Sequence, residues 1–413
     1  MSELLKQFSA KKEVMMKQYS SPFNPFNSWK FMFHTERMWR ILEWLNSKES
    51  NNELLPPPTY VTIDPTDICN HSCPWCISSE IQELDNTTLD SKKLQKLPSI
   101  ISGFTRNIKG KFYSVNAVVL AGGGEPLVNP NTRYFIENIS YEIKKCENRI
   151  SGPLELSMIT NGELLTEYLA ELLAEHATWV GFSVDAGNSD SHKKMHRPKN
   201  KNSNVFLRVI ENIRMLADLK KKFNRKIPLN IGYKFNIHPD SYESMVEAAR
   251  VAKEIGCDEI QFKPTYMDNA FEVMPQIIDQ SQQNIYKARE MYEDDKFKVH
   301  GVIHKFGPSW EPNHDFNICT TTPLGLIFSA DSNMYLCCDR RGDPSLNLGK
   351  WNYGNEYDNL VDLDSIKTLW GSEKHKNLIK NINVNECPRC TFYHYNKTVQ
   401  EAFINDKMNR NFL

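Results

Sequence analysis

The chain has 413 residues, of which 40% are hydrophobic and 24% charged, with a net charge of −1. This composition excludes a disordered or fibrous protein, and the balanced charge leaves no global basic footprint for nucleic acid. The length accommodates a large catalytic domain and a smaller appendage, and no apolar run reaches the length that crosses a bilayer.

Met1–Lys12 is polar and charged and has no signal-peptide pattern, so a cytoplasmic location is expected. The ten cysteines are then expected to be reduced: ligands, catalytic thiols or core residues. Residues 1–57 read as an N-terminal helical extension. Within it, 31–45 places apolar residues at helical spacing and is expected to pack on the main domain, although its aromatic and basic content also suits a membrane-surface or peptide-docking helix. Pro56-Pro57-Pro58 then breaks the chain.

Residues 58–300 carry strand-like runs at 59–65, 117–123, 154–160, 179–185, 228–236 and 259–264. Helical patterns, among them 164–175, 205–220 and 241–255, lie between them. This alternation predicts a parallel β/α sheet. The runs are nearly continuous in apolar character, as expected when both faces are covered. The basic cluster Lys220-Lys221-Lys222, with Arg225 and Lys226, reads as a solvated helix end and not as a nucleic-acid site.

After about residue 300 the rhythm changes, and 301–413 reads as a separate small unit. Runs at 325–328 and 334–337 predict a β-hairpin, followed by a helix over 364–382, then Cys387-Pro388-Arg389-Cys390 and a final helix.

Directly after the first strand stand Cys69, Cys73 and Cys76, in the spacing C-x3-C-x2-C. Three thiolates on one short loop can hold three irons of a cubane and leave the fourth iron open. Structural zinc instead favours four ligands in paired spacings, and His71 alone stands nearby as a fourth. The segment resembles the signature of the radical S-adenosylmethionine (SAM) superfamily, with Trp75 at its aromatic position, near the adenine in that family. The resemblance implies a partial (β/α)6 TIM barrel, in agreement with the strand count. It also implies SAM and a [4Fe–4S] cluster as cofactors, an electron donor such as flavodoxin or ferredoxin, and reductive cleavage of SAM to a 5′-deoxyadenosyl radical.

The same resemblance carries SAM-binding roles to further positions. Gly123, Gly124 and Glu125 match a GGE element, with the carboxylate accepting from the SAM ammonium. Thr160 and Asn161 match an element beside the methionyl group. Ser183 and Asp185 match a pattern that reaches the ribose, and Arg197 is the candidate for the SAM carboxylate. All fall at or just beyond the C-terminal ends of expected strands, where barrel chemistry sits.

A second group, Cys319, Cys337, Cys387 and Cys390, has the pattern C-x17-C…C-x2-C. Four thiolates can ligate a second cubane, and on spacing alone zinc competes. The pattern resembles the twitch domain, a shortened SPASM domain, which implies one auxiliary [4Fe–4S] cluster. Ser332 stands where that family carries glycine in the hairpin. Cys146 and Cys257 follow helices on the non-catalytic side of the barrel and read as inert. Cys338 neighbours a ligand, and strand alternation would point it away from that ligand. It either faces the substrate cavity as a catalytic hydrogen donor or packs under the hairpin.

Twitch-bearing members of the superfamily include dehydrogenases and epimerases of sugar-like molecules. The function expected is therefore hydrogen abstraction from a carbon of a small polar, carbohydrate-derived substrate, ending in oxidation or epimerisation. The alternative is a peptide-modifying maturase that epimerises or crosslinks a peptide. Neither a nucleic acid nor a membrane is expected as a partner.

Overall fold

A computed structural model of the chain describes residues 28–48, 52–84, 86–201, 204–265, 270–302, 314–351, 363–387 and 390–405. Met1–Lys12, Pro388 and Arg389 lie outside the described residues.

The strands are β1 (Tyr60–Ile63), β2 (Thr105–Ile108), β3 (Lys111–Ser114), β4 (Ala117–Leu120), β5 (Glu155–Thr160) and β6 (Ala177–Ser183). They continue with β7 (Asn230–Ile237), β8 (Glu259–Pro264), β9 (Lys298–Gly301), β10 (Gly325–Phe328), β11 (Asn333–Tyr335) and β12 (Asn347–Lys350). Ten of them form one open sheet in the order β12-β11-β10-β1-β4-β5-β6-β7-β8-β9, and β2 and β3 form a separate hairpin. From β10 to β9 every pair is parallel; β10–β11 and β11–β12 are antiparallel. The six expected strands are β1, β4, β5, β6, β7 and β8. β9 extends the sheet by a strand the sequence did not announce, because its four residues carry no distinctive pattern.

The expectation that both faces are covered alike is corrected. Val61, Ile63, Val118, Leu120, Leu156, Met158, Ile231, Tyr233, Phe235, Ile260 and Phe262 are almost wholly buried. The alternating positions Ser157, Ser183, Lys234, Asn236, Gln261 and Lys263 are only partly buried. One face is sealed by apolar packing, and the other is polar and partly open.

The C-terminal hairpin is not set apart from the barrel. β10 pairs with β1 in parallel register, Tyr60 opposite Gly325 and Ile63 opposite Phe328. One continuous core joins Met38 and Trp44 to Val61, Leu326, Leu348, Trp351 and Trp370. A small satellite core of Phe316, Val384 and Tyr393 packs against Cys319 and Cys390. The helix expected over 364–382 is two helices, Leu363–Leu369 and Glu373–Lys380, with Gly371 at a left-handed φ of 88° between them.

The N-terminal helix Thr35–Asn46 buries Met38, Ile41, Leu42, Trp44 and Leu45 against this core. Trp44 Nε1 donates to the Gly371 carbonyl at 2.9 Å. Arg37 ties the helix to the barrel: its guanidinium donates to the Pro57 and Ser114 carbonyls, each at 2.6 Å, and to Asn116 Oδ1 at 2.8 Å. Arg37→Ala strands two buried carbonyls and the part-buried Asn116 Oδ1. It is expected to lower the free energy of unfolding by about 2–4 kcal/mol, measured by urea titration.

Candidate metal and cofactor site

Polar loops converge at the C-terminal ends of β1, β4, β5 and β6. The loop after β1 carries Cys69, Cys73 and Cys76, all free and half-buried. Backbone turns set its shape: the Cys76 amide donates to the Cys73 carbonyl at 3.1 Å and the Ser79 amide to the Cys76 carbonyl at 3.3 Å. The His71 amide donates to Cys69 Sγ at 3.4 Å, and Gln82 Nε2 to Cys76 Sγ at 3.5 Å.

Burial pushes the Cys69 thiol up to about 12, with Glu125, Cys73 and Cys76 adding to the shift against the His71 amide, and burial also raises Cys76. Thiols so placed ionise when a metal supplies the positive charge. A single ion needs its ligand atoms within a few ångströms of one another. Among the described residues the group within 4.8 Å is His71, Cys73 and His196, and the three cysteines do not close to that span.

The glycine-rich segment after β4 presses on this loop. A Cβ on Gly124 would lie 2.1 Å from the Ile68 carbonyl oxygen, and one on Gly123 2.5 Å from Asp67 Oδ1. The glycines were expected to admit a ligand; in the structure what they admit is the cysteine loop. The Gly124 amide donates to the Thr66 carbonyl and the Glu125 amide to the Ile68 carbonyl, each at 3.0 Å.

Glu125 is buried, and its carboxylate is already engaged. It accepts from Thr160 Oγ1 at 2.6 Å, the Asn161 amide at 2.7 Å and the Leu127 amide at 3.1 Å. Burial raises its pKa, opposed by these hydrogen bonds. Asn161 Nδ2 in turn donates to Asn70 Oδ1 at 2.7 Å, which links the end of β5 to the cysteine loop.

Asp185, expected to reach a ribose, has protein partners in the structure. It is fully buried with a φ of 55°; Oδ1 accepts from the Asn236 amide at 2.6 Å and Oδ2 lies 3.1 Å from His196 Nε2. The other nitrogen of His196 lies 3.4 Å from Cys73 Sγ. Burial works against the imidazolium, but Cys73 and Asp185 outweigh it and hold His196 at about 10. Ser183 ends β6 on the half-open face. Trp75 Nε1 donates to the Met195 carbonyl at 3.0 Å, and its ring meets His196 edge-on.

Arg197 caps the helix Ser189–His196 in left-handed geometry. It lines a cleft of about 530 Å³ with His192, Lys193 and Lys201. The segment it begins closes over the cysteine loop: Lys199 Nζ reaches the Cys69 carbonyl at 2.9 Å, and the Ser72 amide donates to the His196 carbonyl at 3.1 Å. Sequence reasoning missed Lys199, Gln82 and Glu163. Glu163 Oε2 takes His71 Nε2 at 2.9 Å and Asn70 Nδ2 at 2.7 Å. The one available signal for this network was the polar density of 160–163 after a strand.

The second cysteine group gathers at the satellite core. Asn396 Nδ2 donates to Cys319 Sγ at 3.5 Å and Arg340 Nη1 to Cys387 Sγ at 3.9 Å. Burial pushes Cys319 up to about 11 and raises Cys337 and Cys390 as well, with neighbouring thiols adding to each shift.

Cys338 does not stand as the strand pattern anticipated. β11 ends at Tyr335, so no strand alternation acts on Cys337 and Cys338. Both bear electrostatically on the buried Tyr60 hydroxyl. Tyr60 begins β1, at the end opposite the first cysteine loop. Strand alternation therefore does not set where the Cys338 thiol points.

Residues 63–224 match the family model described as the radical SAM superfamily. A GTP 3′,8-cyclase of Rhizobium etli is 30% identical over 172 residues, 42% of this chain and 42% of that protein. The corresponding enzyme of Rhizobium meliloti is 30% identical over 169 residues, covering 40% and 43%. The match thus spans less than half the length of these curated relatives. Among solved structures, Streptococcus suis SuiB bound to S-adenosylmethionine superposes with a TM-score of 0.52 at 13% identity, covering 89% of this chain and 88% of that one. Native anSMEcpe with bound AdoMet gives 0.50 at 16% identity, over 80% and 89%. These two share the fold. No described helix is long and apolar enough to cross a membrane.

Proposed function

We propose that this chain, which carries the radical SAM sequence pattern over 63–224, abstracts hydrogen from a carbon of a small polar substrate. The substrate would lie on the polar inner face of the sheet, and the outcome would be oxidation or epimerisation. The carrying observation is the joint between the three-cysteine loop and the Gly122–Glu125 segment, at the edge of that half-open face.

Cys69, Cys73 and Cys76 would hold a [4Fe–4S] cluster. When bound, the cluster and SAM supply reductive cleavage of SAM to a 5′-deoxyadenosyl radical. The protein's part is placement. Glu125 locks the ends of β4 and β5 together through Thr160 and Asn161. His196 holds Cys73 from behind and is itself held by Asp185. Lys199 and the Ser72 amide fasten the cysteine loop from the far side. Ser183, Lys234, Asn236, Gln261 and Lys263 give that face a polar, partly open character suited to a polar substrate. Cys319, Cys337, Cys387 and Cys390 would hold an auxiliary cluster, the electron sink an oxidation needs.

Anaerobically reconstituted and chemically reduced protein is expected to convert SAM to 5′-deoxyadenosine and methionine, detected by chromatography with mass spectrometry. Intact SAM after prolonged reduction, with the cluster present by absorbance, would overturn the reading.

A further inference from the structure

The turn Asp339–Asp343, which follows Cys337 and Cys338, contacts the second cysteine group and the segments that flank the first. On one side, Arg340 Nη1 reaches Cys387 Sγ at 3.9 Å, and its guanidinium is braced by Asp343 at 2.5 Å. Asp339 accepts from the Thr391 amide at 2.6 Å and the Thr391 hydroxyl at 2.9 Å, next to Cys390. On the other side, Arg341 Nε lies 2.6 Å from Asp64 Oδ2, just past the end of β1. Arg341 Nη1 donates to the Gly122 carbonyl at 3.2 Å, at the head of the glycine-rich segment. The Arg341 charge also bears on the Cys76 thiol. Gly342, at a φ of 85°, lets the turn pass over Ile81, where a Cβ would stand 3.2 Å from the side chain.

The Asp64–Arg341 pair is buried, with side chains 0% and 8% exposed. Burying an ion pair costs desolvation that apolar packing of the same volume avoids, so such a pair contributes chiefly through the arrangement it specifies. Here it specifies how the C-terminal unit meets the Gly122–Glu125 segment. That segment has no slack of its own: its glycines are pressed on Asp67 and Ile68, and Gln82 Nε2 donates to the Gly123 carbonyl.

We infer that Arg341 is a positioning residue that couples the C-terminal cysteine group to the SAM-receiving segment. With a cluster held at Cys387, Arg340 would pair with that ligand and Asp339 would keep its bonds to Thr391, so that the turn is ordered. The ordered turn fixes Arg341, and Arg341 holds the Gly122 carbonyl and Asp64 in place. Loading the C-terminal site then tightens SAM binding at the other, and by linkage SAM binding tightens the C-terminal site by the same factor. The inference rests on the proposed function, with SAM bound at the cluster of Cys69, Cys73 and Cys76 beside the Gly122–Glu125 segment.

Equilibrium binding of SAM to the anaerobic, iron-reconstituted full chain tests it. Arg341→Gln alone leaves Asp64 buried without a partner and endangers folding, so the informative variant is Arg341→Gln with Asp64→Asn, which removes both charges. Its SAM affinity is expected to fall about tenfold, the effect of one lost charge-assisted contact, with iron at the first site retained. Cys387→Ser is expected to weaken SAM binding similarly. The three changes together should do no more than either set alone, because they interrupt one path. The electron paramagnetic resonance signal of the reduced first cluster should respond less to SAM in each variant. Unchanged SAM affinity in the double variant, or full additivity with Cys387→Ser, would overturn the coupling and leave the proposed function standing. Failure of the wild type to bind SAM would overturn both.

Discussion

Replacing Cys69, Cys73 and Cys76 together by Ala is expected to abolish SAM cleavage and to halve the bound iron. Of the remaining cysteines, Cys146 and Cys257 are buried, and Cys319 and Cys390 pack on the satellite core. The fall in 5′-deoxyadenosine formation is expected to be about a thousandfold or more, equivalent to about 4 kcal/mol of lost barrier reduction. Reconstituted wild type should hold about eight irons per chain and the triple variant about four, since each cubane carries four. A colorimetric iron assay with parallel zinc analysis reads this directly. Stoichiometric zinc with four irons in the wild type would remove the auxiliary cluster and keep the first. Undiminished cleavage in the triple variant would remove the first as well.

Glu125→Ala is expected to be the most damaging single change at the site. The carboxylate is 3% exposed and serves three donors: the Thr160 hydroxyl and the Asn161 and Leu127 amides. Deleting it leaves those donors buried without an acceptor, each at about 1–3 kcal/mol. A loss of about 3–5 kcal/mol in the free energy of unfolding follows, because the ends of β4 and β5 can partly relax and recover some of the cost. SAM affinity should fall with it, through the displaced Asn161 and the Asn70 it holds. Glu125→Gln retains one acceptor oxygen and is expected to fall between wild type and Glu125→Ala in both measurements. A Glu125→Ala protein with unchanged urea midpoint and SAM affinity would show that the hydrogen bonds carry neither.

The sequence by itself determined the alternation of strands and helices, because apolar periodicity and turn chemistry are local. β1, β4, β5, β6, β7 and β8 all fall within two residues of their expected starts, and Val205–Lys220 forms the helix its spacing predicts. It also determined the two cysteine groups, whose spacing along the chain is itself the signal. The N-terminal helix packs in the core as its apolar stripe implies, although it breaks at Phe33 and His34, between Ser28–Met32 and Thr35–Asn46.

The tertiary structure decided what those elements meet. That Glu125 is consumed by Thr160 and Asn161, and Asp185 by Asn236 and His196, depends on loops from different strands arriving at one point. No local pattern encodes that convergence. Whether the strands were covered alike on both faces turned on single alternating polar residues such as Lys234 and Gln261, which the apolar runs masked. The place of Cys338 turned on β11 ending at Tyr335, two residues short of the expected hairpin. The joining of the C-terminal hairpin to β1 is a pairing between residues more than 260 positions apart, Tyr60 with Gly325. Backbone hydrogen bonds between strands carry no side-chain signature, so a sequence shows that a strand exists without showing which edge it completes. The contact of Arg341 with Asp64 and Gly122 depends on that pairing and on the path of the turn Asp339–Asp343.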